Sequence, residues 1–226
     1  MAKISERDNF LFLFVALVVL LAGCAIMEQF FDTGQGIVLI GLLFCMSAST
    51  LGIEKKRAAT RGWFGFLTVT VLITSIASIL QAANLAIISL LALILFIGQY
   101  LKHATRLVLK APRIDKNQIV GSICIYLMMG LWFAFVQLLL LEILDGGFNG
   151  IEHGPWLDNL SRMIYFSFIT MTSVGYGVIA PTEPLTRFVA YFEAVAGVFY
   201  LAILVSSLVS AGLSQIDENK RNSDSD

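Results

Sequence analysis

One short segment of the chain, residues 170–177 (TMTSVGYG), places hydroxyl side chains and two glycines inside an otherwise apolar region. Glycine accepts backbone conformations that a side chain forbids, so Gly175 and Gly177 allow an extended backbone whose carbonyl oxygens point to one side. A row of such oxygens can replace the water shell of a dehydrated cation. The segment therefore favours cation coordination by the backbone, with Val174 and Tyr176 pointing away and packing behind it.

The rest of the sequence contains no set of side chains with the spacing of a reactive site. The histidines, His103 and His153, are far apart, and the cysteines, Cys24, Cys45 and Cys124, lie in apolar stretches without C-x-x-C spacing. A zinc site or a disulfide framework is therefore not expected. Because no nucleophile–base pair or metal-ligand set is visible, the sequence predicts a protein that is not an enzyme and needs no cofactor.

The composition places the chain in the membrane class. Of its 226 residues, 58% are hydrophobic and 14% charged, and the mean hydropathy is +0.83. Soluble domains have about 45–50% apolar and about 25% charged residues. The formal net charge of −1 gives no field that would recruit nucleic acid.

Six segments are long and apolar enough to cross a bilayer, which takes about 20 residues. These segments are residues 10–31, 36–53, 62–80, 84–101, 118–143 and 186–212. The connectors between the first four are short, which favours antiparallel neighbours in a helix bundle. The predicted fold is therefore an all-α membrane protein with six transmembrane helices, embedded in lipid.

The distribution of positive charge predicts the topology. With the N-terminus in the cytoplasm, 13 of the 15 Lys and Arg residues lie inside and only Arg162 and Arg187 lie outside. The inside set is Lys3, Arg7, Lys55, Lys56, Arg57, Arg61, Lys102, Arg106, Lys110, Arg113, Lys116, Lys220 and Arg221. This bias follows the positive-inside rule. We therefore expect a multi-pass protein of the cell membrane with both termini in the cytoplasm.

The segment between the last two spans, residues 144–185, does not cross the membrane. It opens on a glycine-rich loop, and Asp158 or Asn159 is a candidate N-cap for a helix over 160–170. That helix is too short to span, and a Gly-rich stretch follows it. Such backbone survives at membrane depth only when it is buried in protein or lines a watery path, so the sequence predicts a re-entrant loop.

Residues 170–177 resemble the T-x-T-T-V-G-Y-G signature of the potassium channel superfamily, and 165–181 resemble that family's pore helix, filter and outer turn. The resemblance covers 118–212 closely and the first four spans only in layout. It implies a homotetramer in which each chain contributes one quarter of a K⁺ selectivity filter. The implied filter residues are Thr172, Ser173, Val174, Gly175, Tyr176 and Gly177, with K⁺ bound through Ser173, Val174, Gly175 and Tyr176.

Two positions depart from the family pattern. Ser173 replaces Thr, which keeps the hydroxyl and removes a methyl group. Val178 replaces the Asp that usually follows the filter and supports its outer mouth, so that hydrogen bond cannot form here. We expect filter stability to differ from that of common family members. A cation channel of relaxed selectivity and a non-conducting, regulatory subunit remain the alternatives to a K⁺-selective channel.

Three further residues are candidates for filter support or gating. Tyr165 lies in the predicted pore helix. Glu193 is an intramembrane carboxyl group, which is a functional candidate by default. We hypothesise that it hydrogen-bonds behind the pore helix and supports the filter, the alternative being a protonated or otherwise satisfied structural group. Gly197 is a candidate gating hinge, or a site of close helix packing.

The first four spans lack the charges of a voltage sensor. Each elementary charge that crosses the field is worth about 2.3 kcal/mol per 100 mV, so a sensor needs several Arg or Lys within a span. The spans at 62–80 and 84–101 contain none. The sequence therefore predicts a channel that voltage does not gate, and it does not identify the gating stimulus.

The predicted organisation has five parts. These are a cytoplasmic tail (1–9), a four-helix bundle (10–101), a basic interfacial linker (102–117), a pore domain (118–212) and a disordered cytoplasmic tail (213–226). Residues 102–113 sort their basic and apolar side chains onto two faces, as in a helix lying on the inner leaflet; a solvated basic linker is the alternative. Residues 21–24 also resemble a lipoprotein signal, whose processing would lipidate Cys24 and leave five spans.

Overall fold

The computed structural model describes residues 9–30, 86–109, 116–144, 146–152 and 154–223. Within these residues the chain forms helices α1 (Asn9–Phe30), α2 (Ala86–Leu109), α3 (Lys116–Ile143), α4 (Leu160–Met171) and α5 (Pro184–Ser223), and strands β1 (Phe148–Asn149) and β2 (Ala180–Pro181). The predicted spans at 36–53 and 62–80, together with Cys45 and His153, lie outside the described residues.

Four of the described helices are long and apolar enough to cross a membrane. Their apolar stretches are Phe10–Phe30, Ala86–Arg106, Asn117–Ile143 and Pro184–Ser207. They coincide with the segments predicted at 10–31, 84–101, 118–143 and 186–212. The described part of the chain is therefore an almost entirely helical membrane protein.

Helix α3 is the centre of the fold, because it packs against α1, α2, α4 and α5. Its apolar residues surround the whole helix, as expected of a helix with neighbours on several sides. Fully buried side chains along it include Cys124, Met128, Leu131, Ala134 and Leu138. Helix α2 is fixed to it by Trp132, whose Nε1 donates a hydrogen bond of 3.1 Å to the carbonyl oxygen of Ile94.

The start of α5 is anchored to the loop that follows α3. Pro184 occupies the first helical position, where its missing N–H costs nothing. The N–H of Glu183 donates to Oγ1 of Thr186 at 3.2 Å, and that hydroxyl donates to the carbonyl oxygen of Gly147 at 3.0 Å. Thr186 is fully buried, so the N-terminal end of α5 has a fixed position relative to α3.

Two helices extend beyond their predicted ends. Helix α2 continues to Leu109, so Lys102 and Arg106 lie on its last turns and not on a separate interfacial helix that begins at 102. Helix α5 continues to Ser223, so the structure has a helix over 213–223, where the sequence predicts a disordered tail. In both cases no proline interrupts the sequence, and extending an existing helix avoids the cost of nucleation.

Candidate cation-coordinating site

Helix α4 carries the candidate site at its C-terminal end. It begins at Leu160 and ends at Met171, close to the predicted 160–170. Asn159 occupies the N-cap position, but its side chain makes no capping bond. Its Nδ2 instead donates to the carbonyl oxygen of Glu152 at 3.2 Å. The side chain of Asn159 therefore links the helix start to the outer loop, and the predicted capping role is wrong for it.

The segment after α4 folds back onto the last turn of the helix. The N–H of Ser173 donates to the carbonyl oxygen of Thr170 at 2.9 Å. The N–H groups of Val174 and Gly175 both donate to the carbonyl oxygen of Ile169, at 2.8 and 3.1 Å. These bonds satisfy carbonyl groups that a helix end would otherwise leave without partners. The end of α4 therefore fixes the position of the first residues of the segment.

The same bonds set the direction of the carbonyl groups. In a trans peptide, the N–H of one residue and the C=O of the preceding residue point in opposite directions. Because the N–H groups of Ser173, Val174 and Gly175 point back to α4, the carbonyl oxygens of Thr172, Ser173 and Val174 point away from it. Three consecutive oxygens are thus presented on the side opposite the helix.

Backbone conformation alternates along the segment. Ser173, Gly175 and Gly177 have φ angles of 59°, 55° and 78°. Positive φ is natural for glycine and uncommon for other residues, and it is most unfavourable for β-branched ones. The positive φ angles of Gly175 and Gly177 could be expected from the sequence, because both residues are glycines. The positive φ of Ser173 could not be expected. Serine suits this conformation better than threonine, which gives the departure at this position a physical reason.

The segment packs against few atoms of its own chain beyond α4. Val174 is 52% exposed, Tyr176 71% and Val178 65%. The expectation that Val174 and Tyr176 pack behind the segment is therefore not met within a single chain. Thr172 Oγ1 donates to the carbonyl oxygen of Phe168 at 2.6 Å, which keeps its side chain on the helix end.

The outer end of the segment is held by the loop after α3. Strands β1 and β2 pair antiparallel, with Phe148 opposite Pro181 and Asn149 opposite Ala180. Gly150 has a φ of 84°, and a Cβ added there would overlap the carbonyl oxygen of Val178. In place of a carboxylate at 178, the described residues thus support the outer turn by strand pairing and by a close backbone contact at Gly150.

Two glycines allow the neighbouring helices to reach the C-terminal end of α4. A Cβ on Gly130 of α3 would lie 2.9 Å from ring atoms of Phe168. A Cβ on Gly197 of α5 would overlap the carbonyl oxygen of Met171 and lie 2.5 Å from its Cγ. Of the two roles considered for Gly197, this contact favours close helix packing. A hinge at this residue stays a prediction.

Glu193 lies behind α4 and is fully buried. Its Oε1 is hydrogen-bonded to Oγ of Ser167 on α4, and its Oε2 accepts a bond of 3.0 Å from Nε2 of Gln137 on α3. The sequence indicated the carboxyl group but neither partner. In the sequence, Gln137 could have been noticed only as a polar residue inside an apolar span.

Tyr165 lies on a different side of α4. Its side chain is partly exposed and, with Val178, lines a pocket of about 740 Å³ between the outer loop and the outer end of α1. At the same place Glu28 of α1 accepts a hydrogen bond of 2.6 Å from Ser161 and lies 3.7 Å from Nε of Arg162. Tyr165 therefore lines the same pocket as Val178, and its role in supporting the filter stays a prediction.

Comparison with known proteins finds one family and one relative that match part of the chain. Residues 123–213 match a family described as ion channel. Over 63 residues, the chain is 40% identical to two-pore potassium channel 5 of Arabidopsis thaliana. That match covers 28% of this chain and 14% of the plant protein. No solved structure matches the chain.

Proposed function

We propose that this chain is a member of the potassium channel superfamily and a subunit of a K⁺-selective channel with its filter at 172–177. The matches to an ion channel family over 123–213 and to a plant potassium channel over 63 residues support this proposal. The observation that carries the proposal is the direction of the carbonyl oxygens of Thr172, Ser173 and Val174, opposite to α4. K⁺ would be bound through backbone oxygens of Ser173, Val174, Gly175 and Tyr176. The C-terminal, negative end of α4 adjoins these oxygens and favours a cation there.

A single chain supplies one wall of such a site, so the proposal requires several copies around one axis. Val174, Tyr176 and Val178 are exposed in one chain. Helix α5 adds large exposed apolar side chains, among them Phe188, Tyr191, Phe192, Val195 and Phe199. Apolar surface of this extent is covered by partners or by lipid. We propose a homotetramer in the cell membrane, in which neighbouring subunits pack behind Val174 and Tyr176.

We also propose that voltage does not gate the channel. In the predicted order of six spans, helix α2 is the fourth, where a sensor helix would stand, and its residues 86–101 contain no Lys or Arg. Lys102 and Arg106 lie on its last turns, at the C-terminal end of the apolar stretch Ala86–Arg106. Because residues 86–101 are uncharged, a displacement of this helix moves no charge through the middle of the membrane, and the field does little work on it.

Flux through purified, reconstituted protein tests the function. Liposomes carrying a K⁺ gradient are expected to release K⁺ at zero applied voltage, and liposomes carrying a Na⁺ gradient are expected to show far less flux. A Tyr176→Ala variant that still assembles is the matched comparison, and it should lose the preference for K⁺. Changing the membrane potential in either direction should leave the open probability unchanged.

Two other outcomes correspond to the alternative functions. Equal K⁺ and Na⁺ flux would contradict selectivity and favour the cation channel of relaxed selectivity, for which Ser173 and Val178 are the specific observations. Assembled tetramers that conduct neither ion would favour a non-conducting, regulatory subunit. The match to an ion channel family over 123–213 supports the expectation that the chain is not an enzyme.

A further inference from the structure

A buried polar cluster lies where α3, α4 and α5 meet behind the candidate filter. Its side chains are Gln137 of α3, Ser167 of α4 and Glu193 of α5, and each is fully buried. The carbonyl oxygen of Gly130 on α3 completes the cluster. Three side chains and one backbone carbonyl group thus join the three helices at this point.

The number of available protons decides how this cluster is bonded. A serine hydroxyl has one proton and a carbonyl oxygen can only accept. Oγ of Ser167 lies 2.7 Å from the carbonyl oxygen of Gly130 and is also within hydrogen-bond distance of Oε1 of Glu193. If Ser167 used its one proton to donate to an ionised Glu193, Oγ of Ser167 and the carbonyl oxygen of Gly130 would face each other without a proton between them. Both contacts are hydrogen bonds only if Glu193 supplies the second proton.

We infer that Glu193 is a neutral carboxylic acid and acts as a positioning residue for the filter. Gln137 Nε2 donates to Oε2 of Glu193, the protonated Oε1 of Glu193 donates to Ser167, and Ser167 donates to Gly130. Every contact in this chain of three bonds pairs one donor with one acceptor. The network is neutral throughout.

The surroundings agree with a neutral group. The hydrogen-bond partners that the structure gives Glu193 are uncharged, and an unpaired charge is costly to bury. On α5, Arg187 is six residues away, about 9 Å along the helix. Arg162 of α4 lies beside Glu28. The nearest basic residues of these helices are thus directed elsewhere or distant.

The position of Ser167 connects this network to the filter. Ser167 lies two residues before Ile169, whose carbonyl oxygen accepts the N–H groups of Val174 and Gly175. Fixing Ser167 to α3 and α5 sets the rotation and depth of α4, and so the position of that carbonyl. The positioning role rests on the proposed function, whereas the protonation of Glu193 does not.

Infrared spectroscopy tests the protonation directly. The difference spectrum between the wild-type protein and Glu193→Gln at neutral pH is expected to contain the C=O band of a protonated carboxyl group, shifted in D₂O. Glu28→Gln is the matched control: Glu28 is partly exposed beside Arg162, so its difference spectrum should show carboxylate bands. Carboxylate bands in the Glu193 difference spectrum would overturn the inference.

Flux measurements test the positioning role with the same variants. Glutamine can accept from Gln137 and donate to Ser167, so Glu193→Gln should keep K⁺-selective flux near the wild-type level. Glu193→Ala and Ser167→Ala should each lower the flux per tetramer by about tenfold, since each leaves buried polar groups without partners. Equal loss in Glu193→Gln and Glu193→Ala, or a Glu193→Gln protein that does not assemble, would contradict the role. Wild-type protein without flux would instead contradict the proposed function.

Discussion

Replacing Gly175 with alanine is expected to leave the chain assembled and to abolish K⁺-selective flux. Gly175 has a φ of 55°, where a Cβ costs about 1–2 kcal/mol per residue. In the proposed tetramer four such residues surround one axis, so the total cost is about 4–8 kcal/mol. A strained filter relieves this cost by turning its peptide groups, which removes oxygens from the ion path.

A matched control separates this effect from general backbone strain. Gly146 has a φ of 75° and, like Gly175, no heavy atom within 4 Å of an added Cβ. It lies in the loop after α3, so Gly146→Ala should impose similar strain and preserve the ratio of K⁺ to Na⁺ flux. A Gly175→Ala channel with unchanged selectivity would show that residues 172–177 do not select the ion.

A Gly197→Ala substitution is expected to disrupt the contact between α5 and the end of α4. The added Cβ would overlap the carbonyl oxygen of Met171, and overpacking of this kind costs about 1–3 kcal/mol per site. The expected result is a lower thermal stability of the assembled channel together with reduced flux. Heating followed by size-exclusion chromatography measures the first, and liposome flux measures the second.

The reason for the Gly197 effect can be tested with two further variants. Gly23 of α1 has no heavy atom within 4 Å of an added Cβ, so Gly23→Ala should leave the thermal stability unchanged. Adding Met171→Ala to Gly197→Ala should not restore stability, because the overlapping carbonyl group remains. A Gly197→Ala channel with normal stability and altered gating would contradict the packing role and favour the hinge.

The parts of the fold that follow from local sequence could be predicted. Apolar stretches of membrane length gave the positions of α1, α3 and the apolar part of α5. Gly175 and Gly177 predicted where the backbone adopts positive φ angles. Helix α4 was predicted within one residue of its C-terminal end, because the glycine-rich segment that follows it cannot continue a helix.

Features that depend on tertiary contacts could not be predicted. Glu193 is recognisable as a carboxyl group within a span, but Gln137 is 56 residues away from it, and no local pattern connects the two. The positive φ of Ser173 arises from the way the segment folds back onto Ile169. The sequence predicts ends of α2 and α5 that come too early, because polar residues suggest a helix end, whereas a helix continues through such residues when nothing breaks it.

The turn that follows residue 177 is supported by backbone contacts, although it lacks a carboxylate. Val178 cannot provide the hydrogen bond that a carboxylate would, and the sequence indicated only this loss. The described residues place β1 beside β2 and Gly150 against the carbonyl group of Val178. Neither contact could be expected from residue types alone, since a two-residue strand pair has almost no sequence signal.

The reversal potential of single channels tests the central claim most directly. Purified protein in a planar bilayer, with K⁺ on one side and Na⁺ on the other, should give a current that reverses far from zero, at a potential that makes the Na⁺ side positive. In a Tyr176→Ala channel, the current should either vanish or reverse at a potential near zero. A wild-type reversal potential near zero would mean that the two ions pass equally well, and would contradict a K⁺-selective filter at 172–177.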